Sequence, residues 1–100
     1  MENNSTSERK IISSTTKLTE KDGIFYCDTT SGYFSVYLPF PDNEGNHSIT
    51  VEKVNNNKNN VTIRGIFQNN NDLILLREGK IDLICKKDEW ILSQNMDSSF

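Results

Sequence analysis

From residue 23 to residue 92 the sequence is a series of short apolar or alternating runs, each closed by a cluster of Asp, Asn, Gly, Pro, Ser or Thr. No window keeps the 3.6-residue apolar period long enough for a stable helix. This punctuation restricts the chain to an all-β fold. The runs predict strands at residues 24–27, 34–38, 48–54, 61–64, 73–76, 81–85 and 90–92. Successive side chains of a strand point to opposite faces, so Phe34, Val36 and Leu38 share one face and Ser35 and Tyr37 the other. Glu78-Gly79 is suited to a two-residue hairpin turn, and the Asn-rich segments 55–60 and 68–72 to tight connections, because Asn tolerates left-handed backbone angles. The expected architecture is a small antiparallel β-sandwich or β-prism of about six to seven short strands.

One hundred residues hold a single core at most. Apolar residues are 34% of the chain, against a usual ~45–50% with Gly included, and Ala is absent while Asn occurs 13 times. Such a chain buries little apolar area alone, and oligomerisation is a standard remedy. The predicted core faces carry Phe34, Val36, Leu38, Ile49, Val51, Val61, Ile63, Leu83 and Trp90.

Residues 1–22 read differently, with Ile11, Ile12 and Leu18 as the bulky apolar residues beyond the initiator. They predict either a disordered tail or an extended N-terminal arm that orders on a partner, anchored through Ile11, Ile12 and Leu18. Residues 23–94 form the expected β domain and 95–100 a loose C-terminal tail.

The net charge of −3 argues against a phosphate-tracking surface, so no nucleic-acid partner is expected. No apolar run approaches a membrane span, and the polar start lacks the apolar stretch of a signal peptide. Cys27 and Cys85 lie in strand-like surroundings and read as buried thiols, consistent with synthesis in a cytoplasm.

Chemistry-bearing patterns are sparse. His47 is the single histidine and sits in a polar loop, far in sequence from any nucleophile-elbow turn. Two cysteines and one histidine do not supply four zinc ligands, and residues 42–46 lack the spacing of a calcium loop. The five glycines form no phosphate cradle. The sequence therefore predicts no catalytic residue, no metal and no cofactor. Tyr33, Tyr37, Phe40 and Phe67 flank turns or lie opposite an apolar face, as candidate contacts to a neighbouring subunit, as core, or as a stacking platform for a ligand.

The segments 14–19, Asp28-Thr29-Thr30-Ser31-Gly32, Phe34-Ser35-Val36-Tyr37-Leu38-Pro39, Gly45, Ile49-Thr50-Val51-Glu52-Lys53, Asn60-Val61-Thr62-Ile63, Ile81-Asp82-Leu83 and Trp90-Ile91-Leu92 follow one another in a recognisable order. That order resembles a small β-rich module of bacteriophage tail-fibre, tail-spike and related virion proteins. The likeness covers roughly residues 14 to 92. One departure lies at Arg64-Gly65-Ile66-Phe67, where such modules carry an acidic turn. The resemblance implies a non-enzymatic homotrimer sharing a central apolar core. It further implies a virion location after synthesis in a host cytoplasm, as a fibre, spike or decoration component docked on a capsid or tail protein. The alternative expectation is a tip module that binds a host surface glycan or receptor through Tyr33, Tyr37, Phe40 and the Asn-rich loops.

Overall fold

The computed structural model describes residues 10–42, 47–67, 73–86 and 88–92. Among them are nine strands and no helix. They are β1 (Lys10–Ile12), β2 (Thr16–Lys17), β3 (Gly23–Cys27), β4 (Phe34–Tyr37), β5 (His47–Lys53), β6 (Val61–Arg64), β7 (Leu73–Leu76), β8 (Gly79–Lys86) and β9 (Glu89–Leu92). One sheet has the order β1-β3-β5-β8-β9 and the other β2-β4-β6-β7.

The first six strands alternate between the sheets, so the chain winds as a flattened coil of three turns. Parallel neighbours need a crossover connection, and here a strand of the opposite sheet supplies it. Accordingly β1, β3 and β5 run parallel, as do β2, β4 and β6. In register, Lys10, Phe25 and Val51 form one row, Ile12, Cys27 and Lys53 a second, and Thr16, Val36 and Ile63 a third. The direction then reverses: β7 pairs antiparallel with β6, β8 with β5 and β9 with β8.

The antiparallel sandwich expected from sequence is thus corrected to an all-β sandwich of two mixed sheets. Alternation of period two is the same for either strand direction, so it could not choose between them. Glu78-Gly79 is likewise not a hairpin turn, because β7 and β8 belong to different sheets.

The β fold also includes Lys10–Ile12 and Thr16–Lys17, ahead of residue 23. Ile12 and Leu18, predicted as anchors in an arm, are core residues. The physical reason is the parallel ladder, in which β3 pairs with β1 and β4 with β2. Asp28 N–H donates to Ile12 O (2.8 Å) and Leu18 N–H to Tyr37 O (2.8 Å), which extends both ladders beyond the strands. The predicted tail at 95–100 lies outside the described residues.

The inward rows of the two sheets meet in one core. Its fully enclosed members include Val36, Ile49, Val51, Val61, Ile63, Leu83 and Trp90. Each such aliphatic side chain contributes about 1.5–3 kcal/mol through removal from water. Trp90 closes the core: its indole N–H donates to Pro39 O (2.9 Å), its backbone N–H donates to Ile66 O (2.8 Å), and it forms a parallel bridge with Phe67. Gly65 lets the backbone before Ile66 pass close to Leu38, since a Cβ there would stand 3.1 Å from Leu38 Cβ and Cδ1. The departure at residues 64–67 therefore forms part of the closure around Trp90.

Lys53 is a buried cation in an inward row. Its Nζ donates to Asn57 O (2.6 Å) and to Arg77 O (2.9 Å), so two turn carbonyls replace the water it lost.

Candidate functional site

The coil has two edges made of its turns, and they differ in chemistry. On one edge the turns that leave the five-stranded sheet stack in order: residues 13–15, 28–33 and 54–60. On the other lie the returning turns, residues 18–22 and 38–42.

On the first edge the second and third turns are joined by side chains. Thr29 is buried, and its backbone N–H donates to Asn55 Oδ1. Its hydroxyl donates to Asn57 Oδ1 (2.9 Å), and its carbonyl accepts from Asn57 Nδ2 (3.2 Å) and Asn59 Nδ2 (2.9 Å). Asn side chains carry two donors and an acceptor, which is what a buried turn with unpaired backbone groups requires. Asp28 braces the same turn by accepting from Thr30 N–H (3.0 Å) and Thr30 Oγ1 (2.6 Å). These two bonds hold the Asp28 carboxyl below its usual range.

Between the first and second turns no such zipper exists among the described residues. The interval is a groove of about 300 Å³ lined by Ser13, Ser14, Thr15, Ser31, Gly32, Tyr33 and Phe34. Every lining residue is uncharged. Thr15 Oγ1 accepts from Ser35 N–H (3.2 Å), whereas the hydroxyls of Ser13, Ser14 and Ser31 bond no described protein group. Tyr33 stands at the rim with 81% of its surface exposed.

The opposite edge is ionic. His47 Nδ1–H donates to Asp22 Oδ2 (2.8 Å), and Ser48 N–H donates to Asp22 Oδ1 (2.9 Å). The His47 bond first, and the Ser48 amide second, hold the Asp22 carboxyl below its usual value. Lys21 pairs with Asp42, whose Oδ1 is 3.7 Å from His47 Nε2. His47 therefore stitches the returning turn 18–22 to the start of β5. No nucleophile is within its hydrogen-bond reach among the described contacts, and no group of three or more His, Cys, Asp or Glu among the described residues could hold a metal ion.

Two further surfaces stand out. The outer face of the four-stranded sheet carries the rows Lys17, Tyr37, Arg64, Leu73 and Ser35, Thr62, Leu75. Tyr37, Leu73 and Leu75 there are each a little over 40% exposed. At the first rung, the outer edges of β1 and β2 have no strand partner among the described residues. Between them opens a mouth of about 260 Å³ lined by Ile12, Leu18, Phe25 and Lys17, with Lys10 and Glu20 paired at 2.9 Å on its lip.

The residues singled out by sequence do not form one site. Tyr33 and Phe40 are exposed at opposite ends of β4, and Tyr37 lies between them on the outer sheet face. Phe67, a candidate for contact or for core, is only 6% exposed and packs in the core beside its bridge to Trp90, which corrects the contact reading. Of the expected anchors Ile11 alone is exposed, at 61%. Sequence reasoning missed the hydroxyl groove, because Ser13 to Thr15 and Ser31 to Tyr33 become neighbours only through parallel stacking. No repeat signals it, because the offsets of 26 and 27 positions between the second and third rungs (Phe25 to Val51, Phe34 to Val61) shrink to 15 and 20 between the first and second (Lys10 to Phe25, Thr16 to Val36).

Cys27 and Cys85 are free, buried thiols in strands separated by β5. Burial pushes the Cys27 thiol up to about 12. Comparison with known proteins returns no matching family model, no matching curated protein and no matching solved structure.

Proposed function

We propose that this chain acts by assembly rather than turnover, as a homotrimeric structural component of a virion: a fibre, spike or decoration subunit docked on a capsid or tail protein. The observation that carries this reading is the outer face of the four-stranded sheet. Tyr37, Leu73 and Leu75 place apolar surface there at positions that a lone sandwich would fill with polar groups. Lys17 and Arg64 flank Tyr37 in the same row, which suits a specific contact more than indiscriminate aggregation. The order of motifs that resembles phage fibre modules supports the same reading.

Docking on the virion falls to the first rung. The edge of β2 (Thr16–Lys17), which has no strand partner among the described residues, offers backbone donors and acceptors to an extended partner segment. The mouth between β1 and β2 offers Ile12, Leu18 and Phe25 to an apolar side chain.

Light scattering behind a sizing column tests the reading. The wild-type chain is expected near three times 11.5 kDa. Leu75→Glu and Tyr37→Glu are expected to yield monomers with an unchanged circular dichroism spectrum. A wild-type protein that stays monomeric at high concentration overturns it.

A further inference from the structure

We propose that the Asp22–Gly23 bond is a latent modification site, where the Asp22 side chain can be joined to the backbone to give isoaspartate, and that His47 and Ser48 hold it closed in the folded protein. Both residues are fixed by the fold, for separate reasons. Gly23 opens β3 at φ +137°, a conformation that residues with a side chain rarely adopt. Asp22 supplies both carboxylate oxygens to the stitch between the turn 18–22 and β5. Their adjacency sets a carboxyl beside a backbone nitrogen whose own residue has no side chain to shield it.

The reaction needs water alone. Gly23 N attacks Asp22 Cγ, a C–N bond forms, and one carboxyl oxygen leaves as water with the amide proton and the proton of the acid. A second water then opens the cyclic imide. Entry at Cγ restores aspartate, whereas entry at the main-chain carbonyl carbon of Asp22 leaves the chain running through Cβ and Cγ. Mass is unchanged, but the backbone ahead of β3 is longer by one carbon. The Asp22 side chain is 61% exposed, so water reaches it.

Two features of the ionic edge oppose the first step. Asp22 Oδ2 accepts from His47 Nδ1 (2.8 Å) and Oδ1 from Ser48 N–H (2.9 Å), so the carboxyl is tethered to β5 and does not turn freely toward its own chain. The same donors, His47 first, keep the carboxyl below its usual range, which leaves less of the protonated acid that gives up water. Once formed, isoaspartate carries its carboxylate from a shifted position that no longer meets both donors, and the stitch opens.

The site lies away from the sheet face that carries assembly, so its test is read separately from oligomeric state. The full chain is aged at physiological temperature and mildly acidic pH, with a synthetic peptide of residues 17–27 as the unrestrained reference. Peptide mapping with electron-transfer fragmentation measures isoaspartate at residue 22. The folded chain is expected to convert several-fold more slowly than the peptide. His47→Ala should raise its rate several-fold with an unchanged circular dichroism spectrum, whereas Lys53→Met, which loosens the opposite edge, should not. The isoaspartyl fraction, separated by ion exchange, should melt at a lower temperature than the native one. Conversion in the folded wild type as fast as in the peptide overturns the proposal. So does a His47→Ala rate equal to wild type, a Lys53→Met rate as high as that of His47→Ala, or an isoaspartyl fraction that melts with the native one.

Discussion

Trp90 donates its indole N–H to the carbonyl of Pro39, 2.9 Å away and 51 residues earlier. That bond ties the last described strand to the turn after β4, between which the chain has completed its coil and reversed. Trp90→Phe keeps an aromatic ring but leaves a buried carbonyl unpaired and a small void. The expected loss is about 2–4 kcal/mol, from the void and the orphaned acceptor together. Urea unfolding followed by far-ultraviolet circular dichroism reads it, since Trp90 is the single tryptophan and its fluorescence is lost with it.

Lys53 is held by carbonyls from two separate turns, so it acts as an internal clamp between the β5–β6 turn and the β7–β8 crossing. Lys53→Met preserves most of the volume but leaves both acceptors without their donor. A destabilisation of about 2–4 kcal/mol is expected, seen as a lower urea midpoint with an unchanged slope. A variant as stable as wild type would show that water reaches those carbonyls.

Asp22 and Asp28 both have folded pKa values below the unfolded 3.8. A depressed carboxyl contributes stability that is fully present above the unfolded value and is lost as pH falls through the folded one. The folded protein is therefore expected to lose stability as pH drops below about 4. The double variant Asp22→Asn, Asp28→Asn should show a flatter decline over that window. Thermal melts at stepped acidic pH values measure both slopes.

How far the sequence could be read depended on the length of each element. Seven strands between Gly23 and Leu92 were legible because each has at least four residues and turns its apolar side chains inward by alternation. The nine predicted core residues, from Phe34 to Trp90, are all buried. β1 and β2 escaped notice because three and two residues are too few to show a period. Phe67 could not be assigned between contact and core because an Asn-rich segment follows it, and the bridge that buries it comes from Trp90, far along the chain. The site was less legible than the fold. Tyr33 was visible as an aromatic beside a turn, but its groove partners are about 20 residues away and meet it only once parallel rungs are stacked.

The reversal after β6 makes the molecule a coil with a direction. Its first rung presents strand edges that another parallel turn could continue without breaking a described hydrogen bond. Its other end is built from strands running the opposite way, with Trp90 folded over them. The two ends therefore offer different edges, β1 and β2 parallel to their neighbours at one and β7 and β9 antiparallel to theirs at the other. A strand added at the first described rung continues the direction of the coil, whereas one added at the far end meets strands that have already reversed.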